Sequence, residues 1–540
     1  MKQKLLTALF LFFIFAINAQ NTVGTITNTT NAFNGYTLFT SQTETYLINN
    51  CGEVIKQWTS NYPPGNSVYL LEDGSLLRAC NIGNTAIAFG GTGGRIEKYD
   101  WDGNLIWSYN YSSSTMVQHH DIYPLPNGNI LILAATIMTN AEAIQAGRNP
   151  SQLVDGDLFN EQVVELQPTG TNTANIVWEW NIKDHLIQDF DATKDNFGNV
   201  ADNPQRLDIN FLNGMSGINN WLHINSMQYN ATLDQIVLSS RHMSEIYIID
   251  HSTTTAQAAT STGGTYGKGG DFLYRWGNPQ AYKQGTAADR KLYGQHYPHW
   301  IPDGLTDAGK LILFNNGFGR NPSYSEVFIL TPPTDALGSY SYTTGTAYGP
   351  ETPDYTYSNG TNFFSRILSS AQRLPNDNIL ICDGDSGYFF EIDSNENIVW
   401  EYIHPASNDG ILSQGDSPVD FANIVFRAYK YAPDYAAFTG RDLTPGNPIE
   451  LNPDLSGCDN LGTTDFTLNT VKLYPNPTLN QISIASQKPI DAIEVYTVLG
   501  SKVTSIQNSK SISLQSLKAG VYVVKIYSGT QKVTKKIIKL

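Results

Sequence analysis

Three stretches of this chain set histidines ahead of the same kind of turn. In "VQHHDIYPLPNG", His119 and His120 precede a Pro-Asn-Gly turn. In "WLHINSMQYNAT", His223 precedes Tyr-Asn-Ala, and in "GQHYPHWIPDG", His296 and His299 precede Pro-Asp-Gly. An apolar run follows each turn. An imidazole can attack an electrophile, or carry a proton near neutral pH. Three of them at one phase of a repeated unit would converge on a common axis if the units are arranged in a ring. Arg241, in "LSSRHMSEIYIID", adds a forked set of donors suited to the oxygens of an anionic group.

The elements that must position these residues recur as well. A turn, an apolar pair and a Trp appear at "CGEVIKQW" (Trp58), "DGNLIWSY" (Trp107), "TANIVWEW" (Trp178), "DFLYRWGN" (Trp276) and "NENIVWEY" (Trp400). Strands such as "RIEKYD", "QVVELQ", "EIYIID" and "YFFEID" come before them, and "SLLRAC", "NILILAA", "QIVLSS", "KLILFNN" and "NILICDG" earlier still. One unit therefore reads as four antiparallel strands, the first polar or His-bearing and the last Trp-bearing, which is the blade of a β-propeller. The strand starts equivalent to His120, His223 and His296 fall near Ser369 and Asn66. A sixth unit would join 34–50 to a strand from the end of the domain and close the ring. The expectation is all-β, a six-bladed propeller, with insertions around 138–158 and 181–219; the second could cover one mouth of the channel.

The bulk composition agrees. The 540 residues include 45 Gly, 25 Pro, 30 Tyr and 23 Phe, typical of turn-rich β-structure in more than one domain. The net charge is −16, but 471–540 hold ten lysines against two acidic residues, so the rest carries −24. Such acidity speaks against non-specific binding of nucleic acid or an anionic membrane, and an anionic substrate would need a local cluster of cations. The start, "MKQKLLTALFLFFIFAINAQ", reads as a signal peptide over 1–19, and no later apolar run is long enough to span a bilayer. Export permits disulfides among Cys51, Cys80, Cys382 and Cys458, whose pairing spacing alone leaves open. No Cys/His spacing suggests a structural zinc.

The segments "HHDIYPLPNGNILIL", "WLHINSMQYNATLDQIVLSSRHMSEIYIID", "GQHYPHWIPDG" and "SAQRLPNDNILICDGDSGYFFEID" resemble the bacterial arylsulfate sulfotransferases, the type that does not use PAPS. The resemblance covers roughly 35–440 and is most specific at Trp-x-His-x-Asn-Ser and Ser-Ser-Arg-His. It implies six blades and a ping-pong transfer of a sulfuryl group from a phenolic sulfate to a phenolic acceptor through a sulfohistidine, with no cofactor or metal. It implies His296 as the nucleophile, His223, Arg241 and His119 or His120 around it, and His119 and Asn225 as substrate-binding residues. Repeat phase favours His120, since His120 and His296 each stand six residues before a proline, Pro126 and Pro302. The family often has an acid after the nucleophile, which would fix its tautomer; here Tyr297 stands there, and His299 is a second possible nucleophile.

The remaining histidines read more plainly. His242 should point away from Arg241 by strand alternation and be structural. His251 and His404 read as surface or loop residues, and His185, in the insertion, as a possible lid contact.

After about Ala437 the composition turns to that of a linker, 441–470. The tail, 471–540, alternates like a small β-sandwich. Its elements "LYPNPTLNQISI", "EVYTVLGSKV" and "LKAGVYVVKI" resemble the type A C-terminal sorting domain of the type IX secretion system. That implies passage through the secretion machinery and release or surface attachment. Two other classes compete for the first domain, 20–440. A quinone-dependent dehydrogenase propeller predicts a calcium-binding acidic set and usually eight blades, neither of which is found. A non-enzymatic propeller that binds a glycan or a protein predicts that the histidines and Arg241 do not meet.

Overall fold

Pro-Asn-Gly at 126–128 shows how the turns build the fold. Gly128 takes a φ of +85°, the left-handed conformation such a turn requires. It joins strand Met116–Pro124 to strand Ile130–Met138 in antiparallel register. Strands Leu158–Thr169 and Thr173–Asn181 complete that sheet. The computed structural model describes residues 21–459, 472–486, 489–497, 501–528 and 531–540. The expected signal peptide at 1–19 lies outside them.

The chain is all-β, and it divides into two compact units, 1–454 and 455–540. The first has six sheets of four or five antiparallel strands. Their first strands are Pro64–Leu70, Met116–Pro124, Ile224–Asn230, His296–Trp300 and Ser370–Arg373, and in the sixth sheet Ala428–Tyr431, paired with Tyr36–Ser41. The first strands pack side by side in chain order from Pro64–Leu70 to Ala428–Tyr431, and Tyr36–Ser41 packs on Pro64–Leu70; the sixth sheet joins strands from the N- and C-terminal parts of the unit. The unit runs past residue 440 because 441–454 stay docked: Pro448 bridges Glu53, and Leu451 bridges Ser413.

The tryptophans bind sheet to sheet. Trp58 Nε1 donates to Asp100 O at 3.0 Å, Trp107 to Thr173 O at 3.1 Å, Trp276 to Pro350 O at 2.8 Å and Trp400 to Asn50 O at 2.8 Å. Each acceptor belongs to the next sheet or the segment joined to it. Burying the indole supplies apolar contact, and the N–H finds a backbone partner, so no polar group is stranded.

The insertion at 181–219 is anchored by buried groups. Arg275 pairs with Glu245 and donates from Nη1 to the carbonyls of Pro204 and Arg206 at 3.1 and 2.9 Å. His185 is fully buried, with Nδ1 2.8 Å from Asp271 Oδ1 and Nε2 2.8 Å from Ala258 O. It is a staple rather than a lid contact.

The second unit has a three-stranded sheet (Lys472–Tyr474, Gln481–Ala485, Ser511–Ser513) and a four-stranded one (Ala492–Thr497, Lys502–Gln507, Gly520–Ser528, Gln531–Lys539). Ile482, Ile484 and Ile512 of the first share a core with Ile493, Val495, Val524 and Ile526 of the second. Cys80 and Cys382 are free and buried.

Candidate active site

The first strands break their regular pairing where the candidate residues sit. Register shifts fall opposite His119 to Asp121, between Ile224 and Ser226, and between His296 and His299. His120, His223 and Tyr297 have φ of +48°, +49° and +52°, and the equivalent Asn66 and Ser369 have +90° and +89°. Positive φ in non-glycine residues costs energy and collects at functional sites. A bulge at one phase of each strand thus turns side chains inward.

His120, His223, Arg241 and His296 line one cavity of about 350 Å³. Phe426, Ile367, Leu368 and Ile424 form its apolar wall, and among the described residues no carboxylate lines it. The rings of His120 and His223 are 4.7 Å apart. Gly91 bounds the cavity beside them: its carbonyl accepts from His120 N–H at 2.7 Å, and a Cβ there would collide with the His120 ring. Gly91 also has a φ of +92°, so glycine is needed on both counts.

Asn316 decides the tautomer of His296. Its side-chain nitrogen donates to Ser365 O at 3.0 Å and Leu368 O at 3.1 Å. Its Oδ1, 2.7 Å from His296 Nδ1, is therefore the acceptor. His296 carries its proton on Nδ1 and keeps the lone pair on Nε2. An amide thus does what an adjacent acid was expected to do. Burial, then the Arg241 guanidinium, lowers the imidazole to about 3 against the Asn316 bond, so the ring is neutral at pH 7. His223 and His120 are also held well below the usual range, chiefly by burial, then by His120 for His223 and by His119 for His120.

Arg241 stacks over Phe318, with Cζ 5.0 Å from the ring centre. Burial and the nearby Arg366 lower its pKa, and among the described residues no carboxylate offsets its charge. It is a fixed, uncompensated cation beside a neutral imidazole, which suits an anionic ligand.

Other expected residues take supporting places. His119 is buried behind His120, with Nδ1 3.0 Å from His120 Nδ1 and Nε2 2.9 Å from Glu161 Oε2, at contact distance but without hydrogen-bond alignment. A lone pair would be repelled by that carboxylate, so His119 keeps a proton on Nε2. Its Nδ1 then accepts from His120 Nδ1–H. Asn225 donates to Gln295 O at 2.8 Å and ties the His223 strand to the residue before His296. Neither His119 nor Asn225 lines the cavity. His242 braces His223, with rings 4.9 Å apart and its Nδ1 2.9 Å from Asn220 O.

His299 faces a different cavity, lined by Trp300, Pro302 and Tyr429. Between the two lies a plug in which Arg427 Nη2 meets Asp121 Oδ2 at 2.6 Å and Cζ stacks 4.1 Å from the Tyr297 ring. His404 and His251 lie just past strand ends, in loops as expected, but His404 is not at the surface and His251 is only partly exposed. His404 is fully buried, edge-on to Phe39 at 4.8 Å, and burial lowers it to about 3. His251 bridges Asp234 at 2.7 Å and Glu165 at 3.2 Å.

Asn316, Glu161, Arg366 and Arg427 were not singled out from sequence. Asn316 had a faint signal: it ends the apolar run after the His296 turn, as Asn-Gly. The others depend on contacts far apart in the chain.

Among the described residues, no group of three His, Cys, Asp or Glu could hold a metal ion, and no helix is long and apolar enough to cross a membrane. Solved structures overlap only loosely. A protein of unknown function from Bacteroides caccae is 9% identical, covering 74% of this chain and 98% of its own, with a TM-score of 0.39. A streptogramin B lyase is 14% identical (77% and 95% covered, TM-score 0.35), and virginiamycin B lyase from Staphylococcus aureus 10% (69% and 86%, TM-score 0.30). Overlaps this distant say nothing of activity. No curated protein matches the sequence. The family model for a secretion system C-terminal sorting domain matches 472–540, so the protein is exported by type IX secretion, to be secreted or attached at the cell surface. The model for arylsulfotransferase (ASST) matches residues 26–409, most of the chain, and the protein belongs to that family.

Proposed function

We propose that the protein is an aryl-sulfate sulfotransferase working by a ping-pong mechanism through a sulfohistidine at His296. The six sheets of 20–440 are read as the blades of a propeller whose channel carries the site, and the two tail sheets as a β-sandwich. Family membership supports arylsulfotransferase activity, with aryl sulfates and phenols as substrates. The observation that carries the mechanism is the neutral His296, its Nδ1 proton given to Asn316, beside an unpaired Arg241.

In the first half-reaction, His296 Nε2 attacks sulfur. The N–S bond forms as the S–O bond to the aryl group breaks, and the electron pair leaves on the phenolate oxygen. Arg241 and His223 donate to the sulfuryl oxygens and hold their charge. In the second half, the acceptor oxygen attacks the same sulfur, the N–S bond breaks, and Nε2 recovers its pair. His120 takes the acceptor's proton and passes it to solvent as the product leaves, and the departing phenolate of the next donor takes its proton from solvent, so atoms and charge balance over the cycle. Burial is the chief cause that holds His120 low, so it keeps that proton only while the bound sulfuryl anion lies beside it. Glu161, behind His119, stabilises the imidazolium.

The test is steady-state kinetics of the mature protein with an aryl sulfate and a phenol, both varied. Parallel lines, and loss of transfer in His296→Ala with the fold retained, are expected; intersecting lines would favour direct transfer. The meeting of the histidines and Arg241 in one cavity counts against the non-enzymatic reading.

A further inference from the structure

The cavity that His299 faces takes no part in the proposed transfer. Its volume is about 450 Å³, and Thr232, Pro302, Asp303 and Pro375 in its lining are exposed, so it opens to solvent. Tyr297 and Tyr429, on its side of the Arg427–Asp121 plug, meet edge to face with ring centres 5.9 Å apart. Tyr123, Tyr229 and Tyr431, each half-buried, add three more rings to the wall.

Three polar groups in this wall are left open. His299 Nδ1 lies 3.2 Å from Tyr297 O, and a carbonyl can only accept. The proton is therefore on Nδ1, and Nε2 keeps its lone pair. Burial, opposed by that bond, lowers the imidazole to about 4, so the ring is neutral at pH 7. His299 is only 5% exposed, yet its Nε2 has no hydrogen-bond partner among the described residues. Trp300 is 9% exposed, and its indole N–H is also without a partner there, whereas Trp58, Trp107, Trp276 and Trp400 each donate to a backbone carbonyl. The Gln228 amide, on strand Ile224–Asn230, is the third open group.

The charges of the lining are already matched. Lys430 pairs with Glu391 at 2.9 Å, and Arg373 with Asp307 at 2.7 Å. A cavity whose cations are neutralised does not suit a sulfate ester or another anion. What it offers is a neutral acceptor, a neutral donor, an amide that can do both, and several aromatic faces. A phenol has one hydroxyl and would use one of these groups. A sugar ring carries hydroxyls that donate and accept around its edge and C–H groups on its faces, and so can use them all. The volume is in the range of small-molecule sites and admits a mono- or disaccharide.

We propose that this cavity is a saccharide site. It binds a neutral pyranose whose hydroxyls meet His299 Nε2, the Trp300 indole N–H and the Gln228 amide, with the C–H face of the ring against the tyrosines. The site stands apart from the transfer cavity and does not rest on the sulfotransferase reading.

The probes are the methyl pyranosides of glucose, galactose and mannose, together with maltose, cellobiose and lactose. Each is tested by saturation-transfer NMR with the full protein, and the best is then titrated calorimetrically. At least one should bind saturably. Trp300→Phe, which keeps a ring but loses the N–H, and Gln228→Leu should each weaken it roughly fivefold, the scale of one neutral hydrogen bond. Both variants should keep the kcat and KM of the unaltered protein for transfer. Binding of none of the probes, or binding that is unchanged in both variants, would overturn the proposal. If Trp300→Phe fails to fold, unchanged binding in Gln228→Leu overturns it alone. Displacement of the sugar by an aryl sulfate would move it to the transfer cavity, and phenol binding that Trp300→Phe weakens while no sugar binds would change the ligand class; either result overturns it. A protein that binds sugar in this way but transfers no sulfate would sink the sulfotransferase reading and leave the saccharide site standing.

Discussion

The Oδ1 of Asn316 lies 2.7 Å from His296 Nδ1, and the amide nitrogen behind it is tied to two backbone carbonyls. A freely rotating amide could either donate or accept, but this one can only accept. It therefore sets which nitrogen of His296 keeps the lone pair, without adding charge to the site.

Asn316→Leu should leave His296 free to change tautomer and rotate. The expected loss is roughly 10- to 100-fold in kcat, the usual scale for an orienting partner, with little change in KM. Steady-state rates beside an unchanged circular dichroism spectrum check it. A variant of normal kcat would show that the orientation comes from elsewhere.

The pH profile should carry the mark of Arg241. Burial and that guanidinium hold His296 at about 3, so the neutral imidazole persists as pH falls well below 6.5. The acid limb of kcat/KM due to His296 should lie far below the ordinary histidine range. Removing the cation, in Arg241→Met, should raise the His296 pKa and shift that limb upward, along with a fall in rate. A limb that stays in place would mean Arg241 does not face the ring electrostatically.

Asp121 and Arg427 are a buried pair at the centre of the first unit. Asp121→Asn alone should cost roughly 3–5 kcal/mol, because it leaves Arg427 buried without its counter-ion. Asp121→Leu combined with Arg427→Met should recover much of that loss. Denaturant titrations of the single and double variants measure both, and a double variant no more stable than the single would contradict the pairing.

His251 makes the stability itself depend on pH. Burial would lower its pKa, but Asp234 and Glu165 outweigh burial and raise it to about 9. A pKa raised above its unfolded value stabilises the fold fully below about pH 6.5, and that contribution is lost as pH rises through 9. Since Asp234 is partly exposed, about 2–3 kcal/mol is the expected scale. Melting curves of the protein and of His251→Gln should differ most near pH 6 and converge above pH 9.5.

What could be read from the residue string was whatever the fold repeats. His120, His223 and His296 could be found because each precedes the same turn, and Trp58, Trp107, Trp276 and Trp400 because each ends a unit. Contacts made once were silent: Asn316 and Glu161 act only through neighbours brought close by the fold. His296 and His299 are three residues apart, and only the bulge between them sends one to each end of the plug. His404 looked like a loop residue because the strand before it ends at Ile403, while its burial comes from Phe39, far away in the chain.

The central claim is that His296 carries the sulfuryl group between two phenols. The most direct measurement mixes the protein with an aryl sulfate and no acceptor, follows phenol release, and weighs the peptides after rapid quenching. One equivalent of phenol should appear in a burst, with the mass of one SO₃ added to the peptide containing His296, and a phenol added later should remove it. Turnover that proceeds with no such burst, or an adduct on His120 or His223 in place of His296, would contradict the account.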